Sequence, residues 1–275
     1  MNLARKIHNL FHPIVGEIWC LHRVVPERSP FPSNRDLEIT PDYLEQLITD
    51  CIKHGYNFVD TDTFVKKATH CRLSQRLINI TFDDGFSDIF THAYPILKRH
   101  GIPFTIYVTT DMPDGCADLW WLQLEQLAGG NVEWFNQTIK EIYNRDNDIA
   151  ATMHSITSSS PDPSLCQQHS LSWEQLHTML SEGLCTIGSH GVSHSALSLL
   201  SETQILHELQ NSRKRIKEML GVDARHFSYP HSFYNETTNR LVWQVGYRTA
   251  VIGYGGKTRY RPDNRLFYRN YIVQP

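Results

Sequence analysis

A barrel of alternating strands and helices, interrupted by one inserted segment, is the fold this sequence predicts, and three observations carry it. The 275 residues, 40% of them hydrophobic, can bury one large core, and an α/β barrel of about 250 residues fits that length. Apolar runs of strand length recur with helix-like segments between them, the pattern of parallel strands joined by crossover helices. Residues 111–171 form a stretch too long for an ordinary connection between a strand and a helix.

The elements follow in chain order. IVGEIWCLH, residues 14–22, reads as the first strand. Thr40 and Pro41 then offer an N-cap and a proline at the first helical position, and Leu44, Leu47, Ile48, Cys51 and Ile52 make one apolar face before Gly55. Strands are predicted at 56–60 and 76–82 with a short helical piece at 62–69 between them. A helix over 86–100, started or kinked by Pro95, precedes a strand at 102–110. Ser172 with Gln175, and Ser201 with Gln204, have capping-box spacing and open two further helices, the second ending at Gly221. Between these lies a strand at 184–189; strands at 225–230 and 247–252 flank a helix capped by Asn235, and residues 265–273 are placed to close the sheet. Seven or eight strands result. Residues 111–171 mix DLWWLQLEQL, a helix-like VEWFNQTIKEIYN and the polar tract SITSSSPDPS, and read as an insertion within one domain spanning 1–275.

Composition narrows the partners. The net charge of −3 arises from 26 basic and 29 acidic residues without long like-charge runs, which leaves no electrostatic footprint for nucleic acid or an anionic membrane. A neutral or polar substrate fits better. The six cysteines contain no C-x-x-C pair and read as reduced, mostly buried thiols. No run approaches the ~20 apolar residues of a membrane span, and the first 25 residues interrupt every apolar run, so they lack a signal-peptide core and the expectation is a cytoplasmic protein.

The chemistry is expected at two places where an apolar strand ends. INITFDDGFSD, residues 78–88, puts Asp83 and Asp84 side by side at a strand exit, where parallel barrels gather functional groups. Taken alone, the Asp-Asp-Gly corner reads equally as a turn that caps the next helix. TIGSHGVSHSAL adds His190 and His194 at i and i+4, a spacing that on a helical turn brings both imidazoles to one face, close enough for one divalent ion. Surface histidines in a chain with 15 of them are the bland alternative. Catalytic sites of this kind use three protein ligands and keep a position open for water, so a carboxylate from the acidic pair is the obvious third. Side chains on consecutive extended residues diverge, which would let one acid bind the ion while the other accepts a proton.

TFDDGF (81–86) and SHGVSH (189–194) together resemble the first two signature motifs of the polysaccharide deacetylases, carbohydrate esterase family 4, and the likeness extends over most of the chain outside 111–171. The resemblance implies a distorted (β/α)7-type barrel that uses a divalent metal to remove acetyl groups from N-acetylated sugars. By resemblance, Asp83 corresponds to the catalytic base, Asp84 to the metal-binding acid, and His190 and His194 to the paired ligands. RHFSYPHS (225–232) resembles the third motif, whose Tyr229 and Pro230 would line the substrate groove. It departs from the pattern at Ser228, where many members carry an arginine that orients the base, and at Ser232, which replaces a usual glycine. Arg225 is a possible compensator. The C-terminal histidine that usually serves as general acid has no counterpart, because residues 261–275 contain none. IWCLHRVV (18–25) instead resembles a Tyr-His element near the N-terminus of a permuted branch, which makes His22 the expected acid, against the reading of His22 as a hydrogen-bonded strand-end residue; His231 stands in reserve.

The metal is expected to be zinc by default, with cobalt, nickel or iron also compatible with an Asp-His-His set. The expected partner is an N-acetylated oligosaccharide, polysaccharide or lipid-linked glycan. Tyr229 ranks above Trp120 and Trp121 as a sugar platform, the tryptophans reading as anchors of an insertion that forms one wall of the groove. Two other functions compete. A glycosidase could use paired acids without metal, and a catalytically weak carbohydrate-binding protein could keep the barrel without a general acid.

Overall fold

Strands form where apolar and β-branched runs can be buried on both faces, and the computed structural model, which describes residues 12–71, 73–145 and 148–275, contains eleven of them among those residues. They are β1 (Ile14–Leu21), β2 (Arg23–Val24), β3 (Glu38–Ile39), β4 (Asn57–Phe58), β5 (Leu77–Phe82), β6 (Phe104–Val108), β7 (Cys185–Ser189), β8 (His226–Ser228), β9 (Thr249–Gly255), β10 (Thr258–Arg259) and β11 (Leu266–Tyr271). Seven of these close a parallel barrel in the order β1-β5-β6-β7-β8-β9-β11, and β1 completes it by pairing with both β5 and β11. This is the (β/α)7-type barrel the sequence predicts, and the last predicted strand does close it. β4 pairs with the first two residues of β5, β10 runs antiparallel to β1, and β2 pairs with β3 in a separate ribbon. The start of the chain, residues 1–11, on which part of the localisation reading rests, lies outside the described residues.

Helix boundaries follow the capping chemistry. Thr40 accepts the amide of Tyr43 and Pro41 opens the helix Pro41–Lys53, while full capping boxes at Ser172/Gln175 and Ser201/Gln204 start Trp173–Ser181 and Glu202–Leu220. Gly221 takes φ +72° and stops the last of these. The single helix predicted over 86–100 divides instead into a wide π turn, Ile89–Ala93, and an α-helix, Tyr94–His100. Pro95 explains the split: it has no N–H to donate back to the preceding turn, so the ladder widens there.

The main core lies between the barrel and these helices, with Ile80, Phe82, Phe104 and Ile106 meeting Leu44, Ile48, Leu97, Leu176 and Ile216. Residues 111–171 have a second core. Four helices, Trp120–Ala128, Val132–Tyr143, Ile149–Thr157 and Pro163–His169, pack Trp120, Trp121, Leu124, Phe135, Met153 and Cys166 together and against Phe31, Phe86 and Ala196. All six cysteines are free thiols, and no helix among the described residues is long and apolar enough to cross a membrane.

Candidate active site

The site assembles where β1, β5, β7 and β11 end. β5 is buried along its whole length, and its ladder with β1 continues one residue further through the bond from the Asp83 amide to the Leu21 carbonyl, 2.9 Å. Asp83 and Asp84 are each 3% exposed. Their carboxylates part for a different reason from the one expected of extended neighbours: Asp84 sits at φ +69°, a left-handed conformation that aspartate tolerates better than most residues, and Gly85 at φ +112° completes the turn.

The histidines also converge without the expected helical turn. Residues 190–194 form an irregular loop, with Gly191 at φ +84° and His194 at φ +63°. It nevertheless brings the rings to 5.1 Å between centroids. The Nδ1 of His190 lies 2.8 Å from the Ser228 carbonyl, and since a carbonyl can only accept, that nitrogen carries the proton and Nε2 presents a lone pair. His190 Nε2 is 3.4 Å and His194 Nε2 3.2 Å from Asp84 Oδ1. That oxygen is buried and has no hydrogen-bond partner.

A divalent ion fits this donor set. Ligands held at about 2.0–2.1 Å in a tetrahedral arrangement stand about 3.3–3.4 Å apart, close to the distance of each imidazole nitrogen from Asp84 Oδ1, and an orphaned buried carboxylate oxygen is what such an ion would satisfy. Cys20, His22 and Asp83 form a second group whose ligand atoms lie within 4.8 Å of one another. It suits an ion less well. Burial raises the Cys20 thiol far above its ordinary range, so the thiolate a metal needs is disfavoured, and Asp83 is already engaged.

The partner of Asp83 is the residue that sequence reasoning missed. Arg269, 1% exposed on β11, grips the carboxylate at both oxygens, Nη1 to Oδ1 at 2.7 Å and Nη2 to Oδ2 at 2.6 Å. Burial alone would raise the Asp83 carboxyl; the guanidinium, with His190 and His22, overrides it and holds the group at about 2. Ser228 makes room for this arrangement and joins it, its Oγ donating to Asp83 Oδ2 at 3.1 Å and accepting from Arg269 Nη2 at 3.0 Å. Arg225 does not compensate for Ser228: it lies at the opposite end of β8, pairing with Asp62 at 2.5 Å. The signal for Arg269 was available in RLFYRNY, where it falls on the same face of a strand as Phe267 and is therefore a cation that burial obliges to find an acid.

A cavity of about 350 Å³ opens over these groups. His22 lines it, one residue past β1, with its ring 5.3 Å from that of Tyr271 and its basicity lowered by burial. His231 lines it too, 4.5 Å from the His194 ring and 3.4 Å from the Tyr143 hydroxyl; burial and the neighbouring imidazoles hold it well below its usual range. Tyr229 reaches the wall but is not the open platform expected. It is 1% exposed, packs edge-on to Phe227 and donates its hydroxyl to Asn239 at 2.8 Å. Pro230 is buried and does not line the cavity. The accessible aromatic surface comes from Tyr254, Tyr143 and Tyr271, 58%, 45% and 36% exposed. Trp120, Trp121 and Tyr143, from the helices Trp120–Ala128 and Val132–Tyr143, form a wall.

Residues 71–250 match the family model described as polysaccharide deacetylase. The chain belongs to this family. A curated deacetylase relative, the putative polysaccharide deacetylase YxkH of Bacillus subtilis, is 25% identical over 178 residues, 65% of this chain and 45% of the relative, so the chain spans less than half the length of that protein. Among solved structures, IcaB from Ammonifex degensii superposes with a TM-score of 0.66 at 22% identity, covering 93% of this chain and 91% of that one. Streptococcus pyogenes deacetylase PplD, solved with acetate, gives 0.63 at 20% over 93% and 90%, and a de-N-acetylase from Aggregatibacter actinomycetemcomitans gives 0.64 at 16% over 94% of each chain. These likenesses are ones of fold.

Proposed function

We propose that this protein hydrolyses the N-acetyl amide of an N-acetylated glycan, releasing acetate and a free amino sugar. The observation that carries the reading is the unpartnered Asp84 oxygen between two imidazole nitrogens, next to a second carboxylate held by a buried arginine. Asp84, His190 and His194 would hold a divalent ion, zinc by default, and when bound it supplies a Lewis acid that polarises the acetyl carbonyl and makes water acidic enough to attack at neutral pH.

The chain's own groups move the protons. Asp83, ionised at any working pH because Arg269 holds it near 2, takes a proton from the attacking water. A carboxyl of that acidity keeps a proton only briefly, so the proton must pass on within the turnover. His22 is the group to receive it: burial lowers its basicity, yet an imidazole remains far more basic than this carboxyl, and it lies in the same cluster as Asp83. Protonated His22 then donates to the leaving nitrogen as the carbon–nitrogen bond breaks. The water oxygen ends in acetate; one water proton reaches the nitrogen through Asp83 and His22, and the second, left on the acetic acid as it forms, is lost to the free amine, which leaves as its ammonium. Residues 111–171 act in this reading as an elaboration of a single catalytic domain that walls the groove, and the substrate is an oligosaccharide, polysaccharide or lipid-linked glycan.

The test is elemental analysis of freshly purified protein together with acetate release from a panel of N-acetylated glycans. One equivalent of metal with acetate release supports the proposal. Glycan binding without acetate release by metal-loaded protein would favour the carbohydrate-binding alternative.

A further inference from the structure

The two histidines are held in different ways. His190 follows directly from β7, with its amide bonded to the Val108 carbonyl at 2.8 Å and its ring to Ser228. His194 comes at the end of the irregular loop, after left-handed Gly191 has turned the chain and with a left-handed φ of its own, and no strand fixes it. On one side the loop is stitched to the stem of the insertion, since Thr110 and Asp111 donate their amides to the carbonyls of Gly191 and Val192 at 3.1 and 3.0 Å. On the other side stands Glu208, from the middle of the helix Glu202–Leu220 and 6% exposed. Its Oε2 accepts from the amides of Val192 at 2.6 Å and Ser193 at 3.1 Å, and its Oε1 from the Ser193 hydroxyl at 2.8 Å. Both oxygens of a buried carboxylate are thus spent on two residues of the loop, and charge-assisted bonds of this kind are stronger than neutral ones. Gly191 has no side chain at the point of contact, where a Cβ would lie 2.8 Å from Glu208 Oε2.

We propose that Glu208 is a positioning residue for the second metal ligand: by clamping residues 192–193 it turns His194 Nε2 toward Asp84. The inference rests on the metal-site reading above and adds a residue that touches neither the ion nor the substrate.

The test is Zn2+ titration of the full, chelator-stripped protein by calorimetry, well below its unfolding temperature. Glu208→Ala is expected to weaken Zn2+ binding by about 10–100-fold, the usual effect of losing an outer-shell support. Glu208→Gln is expected to stay within about threefold of wild type, because its amide oxygen can accept both N–H groups while its NH2 donates to the Ser193 hydroxyl. That rescue is what a generic loss of stability would not give. Should Glu208→Ala fail to fold, Glu208→Asp keeps the buried charge but is one methylene short of the loop, and is expected to weaken binding in the same direction. Equal Zn2+ affinity in wild type and in Glu208→Ala, or in Glu208→Asp where that variant stands in, overturns the role of Glu208 and leaves the metal site standing. A wild-type protein that takes up no Zn2+ overturns both.

Discussion

At Asp83 three demands meet in one side chain, since the proposed base must be ionised, oriented and close to the attacking water. Arg269 meets the first two. Replacing Asp83 with Asn keeps the shape and the neighbouring ligands but removes the acceptor, so the variant is expected to bind one metal ion as wild type does and to lose about 10²–10⁴-fold in acetate release; full activity would remove Asp83 from the role. Arg269 carries a separate expectation. Arg269→Met leaves a buried carboxylate without its cation, which costs about 3–5 kcal/mol, to be read as a fall in the denaturant midpoint. Arg269→Lys can supply charge but not the two-point grip, and an intermediate loss is expected.

Among the elements, β1 and β7 depend on glycines at close approaches. A Cβ at Gly16 would lie 2.1 Å from the Leu77 carbonyl oxygen, on the β1–β5 seam that closes the barrel. Gly16→Ala is therefore expected to destabilise by about 1–3 kcal/mol or more, through forced separation of the two strands, measured by thermal unfolding. At the far end of the barrel Asp62, near the start of the helix Thr61–His70, faces His226 at 3.4 Å, Arg225 at 2.5 Å and Arg248 at 3.4 Å. His226, followed by the two arginines, holds its carboxyl below the ordinary carboxylate range against the opposing effect of burial. A depressed carboxyl contributes stability that is present above its unfolded value and lost as pH falls through its folded one. The stability gap between wild type and Asp62→Asn is thus expected to be constant near neutrality and to shrink below pH 3.8, and partial exposure limits it to about 1 kcal/mol. A gap that grows on acidification would contradict this.

Over the whole molecule, the barrel was legible because its strands are apolar runs and its helices carry their caps in the sequence. The site was legible in part. Asp83, Asp84, His190 and His194 stand at strand exits, where adjacency in sequence survives as adjacency in space. The backbone shapes that join them were not legible, because left-handed φ at Asp84 and His194 is imposed by tertiary bonds, from Thr109 to the Asp84 carbonyl and from Glu208 to the loop. The burial of Tyr229 was not legible for a related reason: it does line the cavity, but an aromatic beside a proline gives no sign that Phe227 and Asn239 enclose it. Arg269 could be read as a buried cation from its strand face, but which acid it serves could not, because that acid lies 186 residues earlier and no local pattern spans the distance.

That separation has a consequence for assembly. β1 waits for β11 as well as β5, and the counter-charge of the central acid arrives on β11 itself. During synthesis the nascent chain carries Asp83 into an interior that has no cation for it until residue 269 has left the ribosome. Sealing the cylinder and giving its buried acid a counter-charge are then one event, so no half-built intermediate along the way would have either.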